Sequence, residues 1–326
     1  MSKWLLEIKN LHVYFKVYAG TLRVLNGVDL TVGKGEKVGL IGEAGCGKTT
    51  MMKAILRILA ENATVPHGEI LLNGKDILEL GRRELQTVRR RNLSMVFQDP
   101  TAALNPVYKI DKQLSDVIKY SRMAKGMKPS KEDIKNDAIE VLRQVALPDP
   151  ERILNSFPFQ LSGGMRQRVC IAMALVCTND LLIADEPGTS LDVTIEDQIL
   201  RLLAKLVEEK DISVILISQA LGAVKSLVDR VYVMYAGTIV EVAQTEELFS
   251  NPIHPYTRGL LNAIPKITGG GIPEGISGNI LSYLNPPAGC RFLPRCSSAE
   301  SSCSDSRPEL LEVEKDHKVA CFRKRG

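Results

Sequence analysis

The octapeptide GEAGCGKT, residues 42–49, sets two glycines with four residues between them ahead of a lysine and a threonine. Backbone N–H groups can wrap a phosphate only where side chains stay clear, which Gly42, Gly45 and Gly47 allow. Lys48 would then reach the terminal phosphates and Thr49 would ligate Mg2+, with Cys46 and Thr50 in the same cradle. A second candidate is the run LLIADE, residues 181–186, an apolar strand that delivers two adjacent carboxylates. In a parallel sheet the C-terminal strand ends are where ligands bind. Asp185 suits a Mg2+ shell, and Glu186 can polarise and orient an attacking water. Paired acids after a strand can also be no more than a helix N-cap. A third candidate, LSGGMRQR at residues 161–168, puts Ser162, Gly163 and Gly164 at the start of a helical run. Such a helix start offers bare amides and a positive dipole to an anion. A fourth is SVILISQALG, residues 213–222, where apolar β-branched residues run into one amide, Gln219.

These residues need a scaffold that holds strand ends against helix starts. Alternation over residues 4–15 and 23–32, punctuated by glycines, predicts short strands joined by turns. Residues 68–72 form a third such strand, closed by the hairpin dipeptide Asn73-Gly74. A strand over 37–41 leads through the glycines into a helix expected over 48–59. Residues 130–147 place Ile134, Ala138, Val141, Leu142 and Val145 on one helical face, with Ser130 as N-cap. The short apolar runs 181–184 and 214–217, with helical patterns between them, are what buried parallel strands look like. An α/β fold follows. Gly, Pro and Ser enrichment over 268–279 marks a linker.

Composition bounds the function. The chain has 326 residues, 44% apolar, with a net charge of +4. That charge is too small and too mixed to make nucleic acid the main partner. Arg89-Arg90-Arg91 is expected to be a solvated face. No window reaches the ~18 uninterrupted apolar residues of a membrane span, and MSKWLLEIKN lacks a signal-peptide core, so a cytoplasmic location is expected. Three of the seven cysteines, Cys46, Cys170 and Cys177, are scattered, whereas Cys290, Cys296, Cys303 and Cys321 crowd the last forty residues. In a reducing compartment such crowding suggests metal more than disulfides.

LSGGMRQR resembles the signature of ATP-binding cassette (ABC) proteins. The resemblance narrows at MVFQDPTAALNP (95–106), NPIHPYTRGLLNAIP (251–265) and GCRFLPRCSSAESSC (289–303) with Cys321, which are similar to the oligopeptide, dipeptide and nickel importer branch. It implies a P-loop NTPase (RecA-like) core with an N-terminal antiparallel β-subdomain, an inserted α-helical subdomain and a small cysteine-bearing C-terminal extension. The implied divisions are 1–98, 99–162, 163–250 and 251–326.

It further implies ATP and Mg2+, the latter held by Thr49, Gln98 and Asp185. Ser162, Gly163, Gly164 and Asp192 would serve a nucleotide held by a second ABC ATPase subunit, expected to be a paralogue. Two membrane permease subunits and an extracytoplasmic substrate-binding protein would complete the assembly, with this subunit peripheral on the cytoplasmic face of the cell membrane. An aromatic residue should stack on adenine, and both Phe15 and Tyr18 suit that role. The implied activity is an ATPase that powers import of di- or oligopeptides; relatives of the branch also move nickel or oligosaccharides. Two rival functions are a regulatory partner of weak ATPase activity, and a soluble cassette protein of translation or repair.

The family normally has histidine, then aspartate, where this chain has Gln219-Ala220. Gln219 would face the terminal phosphate from a buried strand end. An amide can still donate to phosphate but cannot carry a charge or relay a proton. One composite ATP site is therefore expected to be attenuated. An engineered replacement that traps bound ATP is the other explanation.

The four tail cysteines are separated by five, six and seventeen residues, and none forms the CxxC knuckle of structural zinc. Four thiolates suffice for a [4Fe–4S] cluster, which the resemblance to dipeptide-type subunits implies. Zinc and plain thiols stay open.

Overall fold

The computed structural model describes residues 3–263 and 275–325. The chain forms two compact units, one of Met1–Gly33, Lys37–Leu78 and Gln219–Gly326, the other of Lys34–Glu36 and Glu79–Ser218. Residues 268–274 of the expected linker, and Ile264 and Pro265 of the 251–265 motif, lie outside the described residues.

In the first unit, strands Leu6–Val17 and Gly20–Val32 pair antiparallel from Leu6↔Val32 to Val17↔Gly20. They run two to three residues beyond the expected 4–15 and 23–32, because main-chain pairing continues past the apolar pattern to the turn. Leu6, Ile8, Leu11 and Val13 are all buried. Ile8 and Leu11 are three apart and would face opposite sides of a regular strand. A register shift between them, with Asn10 at φ 45°, returns Leu11 to the core face. Glu69–Leu72 adds to this sheet, and Asn73-Gly74 turns it into Lys75–Asp76 as expected.

The same unit holds strand Lys37–Ile41, as predicted, parallel to Arg230–Tyr235, which pairs antiparallel with Thr238–Gln244. The C-terminal extension joins here: His317–Val319 pairs with Thr238–Gln244, and Leu311–Glu314 pairs with His317–Val319. The helix after the glycine loop spans Lys48–Ile55, four residues short of the expected end. Arg57 turns left-handed (φ 52°) and its Nη1 donates to the Ile77 carbonyl at 3.1 Å. The helix closes on a backbone cap, with the Arg57 N–H donating to the Ala54 carbonyl and the Ile58 N–H to the Lys53 carbonyl, each at 2.9 Å, although its sequence carries no glycine or proline stop signal.

In the second unit, strands Leu93–Val96, Leu181–Asp185 and Ser213–Ile217 pair in parallel. The last two are buried at every residue, which explains their unbroken apolar runs. Helices Ile110–Ala124, Lys131–Gln144 and Gly163–Cys177 pack on one another. Lys131–Gln144 starts at a capping box: the Asp133 N–H donates to Ser130 Oγ at 3.1 Å and the Ser130 N–H to the Asp133 carboxylate at 2.8 Å. No helix among the described residues is long and apolar enough to cross a membrane.

Candidate functional site

The candidate residues divide between the units. In the first, the buried strand Lys37–Ile41 delivers the glycine loop. A Cβ on Gly42 (φ 151°) would lie 2.2 Å from the Met234 carbonyl oxygen, so no other residue fits that exit from the strand. Lys48 is 5% exposed, and its Nζ donates to the carbonyls of Gly42 at 2.7 Å and Glu43 at 2.9 Å, and to Cys46 Sγ at 3.6 Å. The ammonium thus has three acceptors, all supplied by the loop it belongs to. Burial pushes the Cys46 thiol up against the opposing pull of Lys48, and the Gly237 N–H donates to the Cys46 carbonyl at 2.7 Å. Thr49 is exposed and Thr50 half-buried.

The C-terminal extension grips this loop, which sequence reasoning missed. Arg295 pairs bidentately with Glu43, at 2.6 Å and 3.0 Å, its own side chain only 4% exposed. Tyr256 Oη accepts from the Glu43 N–H at 2.9 Å, and Tyr283 Oη donates to the Gly45 carbonyl at 2.7 Å. Tyr235, Tyr256 and Phe292 stack edge to face behind it, with ring centroids 4.7–5.4 Å apart. Arg291 donates to the carbonyls of Ala236 and Arg23. Tyrosines and arginines in an otherwise Pro- and Ser-rich tail were the available signal, but nothing in it names Glu43 as the partner.

Phe15 is half-buried opposite Leu22 and Ala63, whereas Tyr18 is fully exposed in the hairpin turn. Gln219 corrects an expectation. The buried strand ends at Ile217 and Ser218 is still 1% exposed, but Gln219 itself is exposed beyond it. A strand interior does not present this amide; a solvent-facing junction does.

In the second unit, Asp185 ends its strand and Glu186 follows with φ 46°, both buried. The Glu186 N–H donates to the Ile217 carbonyl at 2.9 Å, and its Oε2 accepts from Gln98 Nε2 at 2.7 Å. Burial, helped by the charge of Glu186, raises the Glu196 carboxyl above the usual range. Ser162 is exposed and N-caps Gly163–Cys177, with the Met165 N–H donating to its Oγ at 3.3 Å. A Cβ on Gly163 would come 2.8 Å from Leu191 and one on Gly164 2.9 Å from Ile195. A side chain at either position would have to displace the end of Leu191 or Ile195, so packing favours these glycines besides any access they give to an anion. Asp192 is exposed at the start of Val193–Glu209.

Of the tail cysteines, Cys303 is buried and Cys290, Cys296 and Cys321 are half-buried, all as free thiols. The Cys290 N–H donates to the Cys303 carbonyl at 2.8 Å. Burial raises the Cys290 thiol, and so do its neighbours Cys303 and Cys296, while the N–H groups of Phe292 and Leu293 oppose the rise. The sulfurs are not gathered to single-ion spacing. Among the described residues, the one His, Cys, Asp or Glu set with ligand atoms within 4.8 Å of one another is Glu247, Glu314 and His317.

Residues 25–189 match the ABC transporter family, and residues 240–303 match the C-terminal region of oligopeptide/dipeptide transporters. The oligopeptide transport ATP-binding protein OppD of Bacillus subtilis is 43% identical over 97% of this chain and 87% of its own. The dipeptide transport ATP-binding protein DppD of the same organism is 40% identical over 97% and 94%. A probable peptide ABC transporter ATP-binding protein of Sinorhizobium fredii is 42% identical over 98% and 95%. Among solved structures, the dimeric post-hydrolysis state of the ATP-binding cassette MJ0796 bound to ADP and phosphate superposes with a TM-score of 0.65 at 26% identity. It covers 74% of this chain and 98% of the other.

Proposed function

The chain belongs to the ABC transporter ATPases of the oligopeptide/dipeptide import type, and we propose that it powers peptide uptake as one of two cassettes beneath a membrane permease. Similarity over nearly the full length, extension included, carries this conclusion, because the extension match sets it apart from cassettes of other branches. ATP is the substrate of such an ATPase.

In the proposed mechanism Lys48 exchanges the loop carbonyls for phosphate oxygens, so the loop holds the ammonium in place before substrate arrives. Thr49, Gln98 and Asp185 are oxygen donors suited to Mg2+, which supplies charge neutralisation at the phosphates when bound. Glu186 accepts the proton of the attacking water, and Gln98, bonded to it, orients that carboxylate. Gly42, Gly45, Cys46, Gly47 and Thr50 line the phosphates, and Phe15 or Tyr18 stacks on adenine. The exposed Ser162, with Gly163, Gly164 and Asp192, serves the ATP of a paralogous partner cassette. Residues 99–162 act as the helical subdomain that meets the permease on the cytoplasmic face, and an extracytoplasmic binding protein delivers the peptide.

Gln219 leaves its composite site attenuated. A charge-assisted hydrogen bond is worth about 1.5–3 kcal/mol, so Gln219→His should speed turnover of that site roughly ten- to a hundredfold. An unchanged single-turnover rate removes the attenuation. The second function, a weakly active regulatory partner, draws on the same exposed glutamine; loss of ATPase in Glu186→Gln excludes it.

Cys290, Cys296, Cys303 and Cys321 are assigned to a [4Fe–4S] cluster. Thiolates of a cubane sit on different irons and so need wider spacing than ligands of one ion, and N–H groups aimed at cysteine sulfur suit such a cluster. The cluster's contribution would be to tie together a tail short of apolar side chains. Iron and acid-labile sulfide in anaerobically purified protein test the assignment; their absence ends it.

A further inference from the structure

The extension carries a second ligand set that contains no cysteine. His317 is 0% exposed, and its Nε2 lies 2.8 Å from Glu241 Oε1. A carboxylate only accepts, so Nε2 is the protonated nitrogen. Glu241 is itself fully buried and also accepts from the N–H groups of Ile253 at 2.7 Å and His254 at 3.0 Å. Three donors fix the carboxylate, and the carboxylate fixes the tautomer of the ring.

The other ring nitrogen has no such partner. His317 Nδ1 is buried without a hydrogen bond among the described residues. The nearest carboxylate oxygen, Glu247 Oε1, stands at 3.9 Å, beyond hydrogen-bond range. A buried nitrogen lone pair left without a donor is uncommon. Two carboxylates stand beside this ring, Glu247 on the helix Thr245–Ser250 and Glu314, which pairs with His317 across the C-terminal hairpin, and the ligand atoms of the three residues lie within 4.8 Å of one another. Asn251 Nδ2 donates to Glu247 Oε1 at 2.9 Å, which orients that carboxylate.

We propose that His317 Nδ1, Glu247 and Glu314 bind a divalent cation of the zinc class. One imidazole and two carboxylates supply three ligands, leaving a fourth position for water. A neutral imidazole favours zinc over Mg2+ or Ca2+, which take all-oxygen sets. Glu241 on the far nitrogen completes the carboxylate–histidine–metal arrangement that such ions use. Bond lengths of about 2.0–2.2 Å put neighbouring tetrahedral ligands roughly 3.4 Å apart. The three atoms, now within 4.8 Å of one another, must close by about an ångström. The exposed Glu314 and part-exposed Glu247 can supply that motion while His317 stays fixed.

The ion would pin the hairpin 311–319 to the segment 238–250. From there hydrogen bonds run on toward the phosphate loop. Glu241 holds the His254 N–H, His254 Nδ1 accepts from the Tyr256 N–H at 3.0 Å, and Tyr256 Oη accepts from the Glu43 N–H. Metal binding at the hairpin therefore braces the collar around Glu43.

The full chain, purified anaerobically and free of nucleotide, should be titrated with Zn2+ and with Co2+. Zn2+ should raise the melting temperature and move the Nδ1 resonance of His317, one of four histidines. Co2+ should give ligand-field bands without the sulfur charge-transfer absorption that binding at the cysteines would produce. Glu314→Gln alters an exposed side chain and should fold, yet weaken Zn2+ at this site by tenfold or more. The proposal is overturned if Glu314→Gln and Glu247→Gln titrate like the parent. It is equally overturned if Co2+ shows only thiolate absorption, or if the His317 ring ignores Zn2+ because Nδ1 carries a proton shared with Glu247.

Discussion

The phosphate loop and the acidic strand end are built by different means. The acidic end owes its place to buried apolar strands that pair in parallel, with Gln98 Nε2 donating to Glu186 Oε2. The loop owes its place to polar groups that arrive from the other end of the chain: Tyr256, Tyr283 and Arg295 lie 213, 238 and 252 residues from the loop atoms they hold. The difference teaches that the C-terminal segment is built into the unit that holds the glycine loop, whereas Glu186 is positioned by residues of its own unit.

The sharpest cut is Glu186→Gln. It should lower ATPase turnover by about a hundredfold or more, while the affinity for a nonhydrolysable ATP analogue, measured by equilibrium titration, stays within twofold of the parent. Arg295→Ala should do the reverse. Glu43 keeps 29% of its side chain exposed, so the loss of its partner is partly screened, and a cost of about 1–2 kcal/mol is expected. That should weaken the analogue's binding roughly tenfold with kcat little changed. If kcat falls and binding holds, the two regions are not separable in this way.

Tyr283→Phe removes one hydroxyl from the Gly45 carbonyl. At about 0.5–1.5 kcal/mol for a hydrogen bond, the dissociation constant should rise a few-fold. Least of all should Ser130→Ala touch either region. Removing this N-cap should cost about 1 kcal/mol in denaturant unfolding and leave binding and turnover alone. The Ser130 hydrogen bonds hold the Asp133 carboxyl below its usual range. Its stabilising contribution is therefore complete above the ordinary carboxylate pKa and fades as the pH falls through the lowered one. Ser130→Ala keeps the backbone N–H, which contributes most, and loses the hydroxyl, so it should flatten that part of the acid-unfolding curve only in part.

Much of the scaffold was legible because its causes are local. The strand Lys37–Ile41, the strands Leu181–Asp185 and Ser213–Ile217, the Asn73-Gly74 hairpin and the Ser130 cap each follow from residues within a few positions of one another. The helix Lys48–Ile55 ends early in a left-handed cap at Arg57, a conformation that glycine ordinarily announces and arginine does not. The apolar run before Gln219 predicts a buried strand end for it, because nothing in that run signals that burial ceases one residue earlier. Gly163 and Gly164 have a packing role against Leu191 and Ile195 that their motif conceals.

The amino-acid sequence alone determined the glycine cradle, the carboxylate pair and the serine-glycine helix start, since backbone freedom, charge and capping are properties of neighbouring residues. Tertiary structure alone decided that Arg295 meets Glu43, that Tyr283 meets Gly45, and that His317 stands beside Glu247 and Glu314. Those meetings depend on strand register and loop closure across the whole chain. Every arginine or histidine in the sequence is equally eligible for them until the backbone has folded.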